Sequence, residues 1–169
     1  RWKVRLFFNG SEEEKNVDYD ECSSPVKRSS AFRLMCGIAA CDDTSPSGKW
    51  ELEHSDQTGA FMHEDNERVL ARMPKGLREY RVVDGTRREV LYWVGNLYGR
   101  HDAGRKFVIG HRKWFLDRGF RACTAEPCLF VRRNAKSVTI VGVYVDDCAW
   151  LCSDKEVLAE LKNCLLYTS

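Results

Sequence analysis

No uninterrupted apolar run approaches the roughly 18 residues that a membrane-spanning helix needs, so no membrane association is expected. No basic-then-apolar leader follows Arg1, and the first methionine is Met35. The expectation is therefore a chain that begins inside a longer reading frame and is not secreted. The eight cysteines include no Cys-x-x-Cys pair; the nearest spacings are Cys36/Cys41, Cys123/Cys128 and Cys148/Cys152, which argues against a zinc knuckle. Several of them lie in apolar runs, where Cys acts as a small buried hydrophobe, and free thiols in a reducing compartment are expected. His54, His63, His101 and His111 show no ligand spacing and read as surface or hydrogen-bonded histidines. Internal repeats and low-complexity tracts are missing too.

What is present can build a core: 43% of residues are hydrophobic and 31% charged, a balance unlike that of a disordered chain. The net charge of +2 conceals an asymmetry. From Arg68 to Lys136 there are 17 Lys/Arg against 6 Asp/Glu, while the stretch from Asp42 to Glu67 is acidic. A basic block with Trp, Tyr and Phe interleaved suits a polyphosphate backbone, and charge alone fits an Arg-rich solvated surface equally well.

"RWKVRLFFNG" reads as a strand with Gly10 as its turn, followed by the acidic loop "SEEEKNVDYDE". After an extended stretch around Pro25, Ser29 or Ser30 caps a helix with Phe32, Met35, Cys36 and Ala39 on one face. Trp50, Leu52, His54 and Asp56 alternate with Glu51, Glu53 and Ser55, the period of a half-buried strand that points Asp56 toward the core. "REVLYWVGNLYG" supplies another strand ending near Gly95 or Gly99. A helix follows with Phe107, Val108, His111 and Phe115 at near-helical spacing and Gly119 as its C-cap. "CLFVRR", "SVTIVGVYV" and "CAWLC" are strands, the last two forming a hairpin about Asp146 and Asp147. Ser153-x-x-Glu156 reads as a capping box for a helix burying Val157, Leu158, Leu161 and Leu165. Without regular β-α-β alternation the fold class is α+β, built on an antiparallel sheet.

Two adjacent aspartates in the most β-prone segment are costly if unpaired, since like charges repel and burial disfavours both. A hairpin turn would make them harmless. A second possibility is that Asp56, at a strand end, joins Asp146 and Asp147 in a hard-oxygen cluster suited to Mg²⁺ and phosphoryl transfer.

The chain resembles the reverse transcriptases of copia-type retrotransposons, through six motifs in order and the hairpin turn that follows them. "RWKVRLFFNG" is similar to the fingers motif R-x-K-A-R-L-V-A-K-G, and "VDYDECSSPV" to D-Y-x-E-T-F-S-P-V. "WELEHSDQTGAFMHED" resembles W-x-L-x-Q-x-D-V-x-T-A-F-L-H-G-D, and "MPKG" the Q-P-x-G that follows it. "LYGRHDAGRKF" resembles L-Y-G-L-K-Q-A-x-R-x-W, and "RGFRACTAEPCLFV" the segment before the hairpin, whose "VYVDDC" resembles the catalytic turn. The resemblance implies the fingers–palm part of a right-hand polymerase over residues 1–169, incomplete at both ends, with the thumb missing.

It further implies an RNA-directed DNA polymerase that transfers nucleotides by a two-metal reaction to a primer 3′ hydroxyl. Asp56 and Asp146 would be the principal ligands of two Mg²⁺ ions, with Mn²⁺ as a substitute, and Asp147 would support them. Lys3, Arg5, Phe61 and Asp102 match nucleotide-binding positions, and Tyr144 and Arg105 primer–template positions. Taken alone, Phe61 reads as core and Lys3 and Arg5 as surface charges; the shared register of the motifs gives them roles. The implied partners are a primed RNA or DNA template, deoxynucleoside triphosphates, and the integrase and RNase H of the same polyprotein. The implied location is inside the cell: cytoplasm, particle or nucleus.

The departures from the motifs are specific: His101-Asp102 for Lys-Gln, Asn9 for Lys, Ser55 for an apolar residue, Gly59 for Thr, Glu64 for Gly and Glu126 for Asp. Asp102 would set a negative charge beside a triphosphate. A second reading is therefore a catalytically dead remnant that at most binds nucleic acid. An aspartic protease is excluded, because Asp56-Gln-Thr-Gly carries an extra residue and Asp84-Gly-Thr has the wrong order.

Overall fold

The computed structural model describes residues 7–23, 28–57, 68–72, 80–83, 85–94 and 96–168. In chain order they form α1 (Ser29–Ala39), β1 (Glu51–Asp56), β2 (Arg68–Arg72), β3 (Tyr80–Val83), β4 (Thr86–Val94), α2 (Ala103–Asp117), β5 (Arg121–Ala122), β6 (Leu129–Arg133), β7 (Val138–Tyr144), β8 (Asp147–Cys152) and α3 (Lys155–Thr168). The main sheet runs β1-β8-β7-β6-β5 and a smaller one β2-β4-β3. All of their pairings are antiparallel, so the mixed helical and antiparallel architecture agrees with the α+β class.

Apolar residues on both faces of β7 and β8 require cover on both sides, and the helices supply it. On one face Val141, Val143, Cys148, Trp150 and Cys152 pack with Phe115 of α2 and with Leu158, Leu161 and Leu165 of α3. On the other, Met35 of α1 packs with Trp50, Leu129, Ala149 and Leu151. Trp150 is fully buried, and its indole N–H donates to Ser55 Oγ at 2.8 Å. The polar residue found where the motif has an apolar one thus satisfies a core donor that would otherwise be left unpaired.

The alternation of β1 is as expected, but its direction is not. Leu52 and His54 are exposed, and so is Asp56, whereas Glu51, Glu53 and Ser55 are half-buried. Helix α1 covers only the end of this face near Trp50 and Leu151, so the Asp56 end stays open. Alternation separates two faces without saying which one a helix covers. In α1 the buried residues are Ala31 and Met35; Phe32 is exposed, and neither Ser29 nor Ser30 caps the helix, whose N-cap is Arg28 without a side-chain bond. In α3 the capping residue is Asp154, whose Oδ1 accepts the N–H groups of Glu156 and Val157 at 2.9 and 3.1 Å. Ser153 Oγ instead accepts the N–H of Val138 at 3.0 Å, tying the helix start to β7.

Helix α2 ends as its sequence suggests. Gly119 has φ +78°, its N–H bonds Leu116 O, and the N–H of Phe120 bonds Phe115 O, the paired closure of a Schellman motif. Residues 7–9 form no strand, and Gly10 opens a short 3-10 turn. This segment crosses the 96–100 loop backbone to backbone: Phe8 N–H bonds Tyr98 O at 2.7 Å, and Gly99 has φ +96°. A Cβ on Gly99 would stand 2.1 Å from Phe8 O, so only glycine fits. All eight cysteines are free, and no helix among the described residues is long and apolar enough to cross a membrane.

Candidate active site

The open end of the main sheet gathers the acidic residues. Strands β7 and β8 join through the two-residue loop Val145-Asp146, with Tyr144 opposite Asp147. Val145 has φ +54°, a conformation that a β-branched residue adopts only under strain and that two-residue hairpins normally assign to Gly, Asn or Asp. Such strain, of order 1–3 kcal/mol, persists where surrounding structure over-determines it. Here Val143 and Cys148 anchor both roots of the hairpin in the core.

Strand β1 lies beside β8 with Asp56 directly opposite Asp147. The N–H of Gln57 continues the ladder to Asp146 O at 3.1 Å. Directly paired residues share a face, so Asp56, Asp147 and Tyr144 project on the same side, with Asp146 in the turn beside them. Tyr144 is 48% exposed, as a residue meeting a ligand from solution must be. Among the described residues no cation pairs with Asp56 or Asp146. Acceptor-only oxygens without a cation partner are donors of the kind Mg²⁺ takes, and in that chemical sense the residues fit the ion.

The closer, three-carboxylate convergence expected from the sequence is not formed. Among the described residues no three His, Cys, Asp or Glu side chains come together tightly enough to hold a metal ion. Asp147 Oδ1 instead meets His54 Nε2 at 3.0 Å. His54 is exposed and hydrogen-bonded, as its sequence reading has it, but the partner, cross-strand and 93 residues distant, was not legible. The burial of Gln57 was also not legible: it is 5% exposed, and neither amide atom is hydrogen-bonded among the described residues. The motif has Val there, and that substitution was the available signal.

Asp102 and Arg105 lie in a different cluster, where the first turn of α2 meets the 13–23 segment. Arg100 is buried and its Nε lies 3.0 Å from Glu13 Oε1 and 3.4 Å from Asp102 Oδ1, while Lys106 Nζ lies 2.7 Å from Asp102 Oδ2. The Asp102 carboxylate is 8% exposed and paired with two cations. Arg105 Nη2 pairs with Glu21 at 2.6 Å beside a cleft of about 560 Å³ lined by Asp18, Tyr19, Arg105 and Ile109. His101 stacks on Tyr19 at 4.7 Å. Lys3, Arg5, Phe61 and His63 lie outside the described residues.

His111 is not exposed, and among the described residues it is not hydrogen-bonded. It is 3% exposed, both ring nitrogens lack partners, and it sits between Phe107 and Phe115 with centroids at 4.5 and 5.5 Å. Burial holds its pKa down at about 4.

Comparison with known proteins gives a consistent result. The chain is 29% identical over 165 residues to the retrovirus-related Pol polyprotein from transposon TNT 1-94 of Nicotiana tabacum, covering 96% of this chain and 12% of that protein. It is 30% identical over 149 residues to the Pol polyproteins from transposons RE1 and RE2 of Arabidopsis thaliana, covering 87% of this chain and 9% and 10% of those proteins. The chain thus spans about a tenth of the length of these relatives. No solved structure matches it. The family model described as reverse transcriptase (RNA-dependent DNA polymerase) matches residues 1–168, and the chain belongs to that family.

Proposed function

We propose that this chain is the fingers–palm part of a retrotransposon RNA-directed DNA polymerase, and that Asp56, Asp146 and Asp147 form its reaction centre. The observation that carries this reading is the register: Asp56 opposite Asp147, with the Gln57 N–H on Asp146 O, brings one strand end and one hairpin turn to the same open edge. Asp56 and Asp146 would hold two Mg²⁺ ions, with Asp147 in support; bound metal supplies charge stabilisation and lowers the pKa of an attacking hydroxyl. In the reaction the primer 3′ hydroxyl releases its proton to solvent, its oxygen forms a bond to the α-phosphorus, the bond from that phosphorus to the bridging oxygen breaks, and pyrophosphate leaves with the electron pair. Tyr144, exposed beside the turn, supports the primer end, and Arg105 the template strand. Lys3 and Arg5 neutralise the triphosphate, and Phe61 rejects a ribose 2′ hydroxyl; Asp102 acts on the nucleotide side by fixing the loop before α2.

Substrates are a primed RNA or DNA template and deoxynucleoside triphosphates, handled alongside integrase and RNase H segments of one intracellular polyprotein. The second reading is a nucleic-acid-binding remnant without turnover. The two separate on one experiment with the polyprotein segment that contains this chain. Primer extension on RNA, falling to background in Asp56→Asn while nucleic-acid binding persists, supports the polymerase. Salt-sensitive binding with no extension in the parent protein leaves the remnant.

A further inference from the structure

We propose that His54 is a positioning residue that holds the Asp147 carboxylate back from the cation site of Asp56 and Asp146, an inference that rests on the polymerase reading for the cation alone. His54 lies opposite Ala149, and Asp56 lies opposite Asp147, so His54 and Asp147 are diagonal neighbours on one face of β1 and β8. Diagonal pairs are within reach of long side chains, and the Nε2 to Oδ1 distance is 3.0 Å. A carboxylate oxygen only accepts, so Nε2 carries the hydrogen.

The direction of this bond matters. Asp56 and the Val145-Asp146 turn mark the open end of the sheet, and His54 is two residues further in along β1. Donating from there, the imidazole leans the Asp147 carboxylate inward, away from the turn. Three carboxylates at one strand end would otherwise repel one another. With Asp147 drawn back, a divalent cation approaching the edge meets Asp56 and Asp146 first and Asp147 only in support. The unequal roles of the two adjacent aspartates then come from a cross-strand hydrogen bond as well as from their places in the turn.

The test compares the parent chain with His54→Gln, which keeps an N–H donor of similar reach, His54→Leu, which removes it, and His54→Leu combined with Asp147→Asn. His54 is exposed, so neither single substitution disturbs the core. The first measurement is the Asp147 carboxyl ¹³C resonance without metal. It should move in His54→Leu and stay near the parent position in His54→Gln; an unmoved resonance in His54→Leu overturns the proposal. The second is Mn²⁺ binding followed by electron paramagnetic resonance. Release of Asp147 should tighten binding by roughly three-fold or more in His54→Leu, and the gain should vanish in the double variant. Mn²⁺ affinity unchanged in His54→Leu overturns the holding-back role. If no variant binds Mn²⁺ while the resonance moves as expected, the metal-dependent polymerase reading fails and the His54–Asp147 contact stands.

Discussion

Acid should find this protein's weak point at His111 well before it reaches the carboxylates. The ring lies in the aromatic row of α2 with no hydrogen-bond partner among the described residues, and burial lowers its pKa from 6.5 to about 4. A depressed pKa means that the native state resists the proton that the unfolded chain accepts. Above pH 6.5 both states are neutral and the term vanishes; stability is then lost as pH falls and the loss is complete near pH 4. Linkage with these two values gives a loss of about 2 kcal/mol by pH 5 and about 3 kcal/mol in full. Urea unfolding, followed by Trp fluorescence at pH 7.5 and pH 5.0, measures it. His111→Leu removes the titrating group while Glu13, Asp102, His54 and His101 remain in both proteins, so their contributions cancel in the difference. The parent should lose about 2 kcal/mol more than the variant between these pH values. Equal losses would mean that His111 takes up its proton in the native state, and the burial argument would be refuted.

Three further outcomes follow from single positions. Gly99→Ala should cost at least about 2 kcal/mol in urea unfolding, because the new Cβ would stand 2.1 Å from Phe8 O at a φ of +96°; a loss below about half that would show that the 7–10 segment yields freely. Val145→Gly should stabilise the chain by about 1 kcal/mol by relieving the positive φ, and an unchanged or lower midpoint in thermal unfolding would deny that the turn is strained. Asp102→Gln should destabilise by roughly 1–3 kcal/mol, since Arg100 keeps Glu13 but loses its second carboxylate; a stability gain in the same assay would contradict the pairing.

Much of the site was legible because its signals are local. The apolar run ending in Tyr144, the two aspartates and the returning "CAWLC" predict a hairpin without help from the rest of the chain, and the hairpin is there. The alternation of β1 placed Asp56 on a strand end, and the motif register implied the same neighbourhood as Asp147. The direction of β1 was not legible, because it depends on how far α1 reaches across the sheet. The partner of His54 and the burial of Gln57 were not legible for the same reason: a cross-strand bond and a buried amide are set by partners far away in sequence. The cap of α3 was misplaced by one residue because Ser153, a good capping residue, was recruited by β7.

The charged departures in "LYGRHDAGR" show how partners change the meaning of a substitution. Read alone, Asp102 is a negative charge set against a triphosphate. In the fold it answers Arg100, a cation standing where the motif has Leu, and Glu13 from the acidic run answers the same guanidinium. A buried arginine without carboxylates would be strongly destabilising, whereas two carboxylates and Lys106 leave the cluster near neutral. Glu13 Oε2 also accepts the N–H of His101 at 2.9 Å, fixing the loop that leads into α2. The changes at 100 and 102 therefore read as one compensated exchange, with Glu13 as its third member, and not as separate injuries to a nucleotide site. Decay predicts uncompensated damage. At this cluster the damage is compensated, which removes the main electrostatic argument against catalysis and leaves primer extension as the point on which the two functional readings divide.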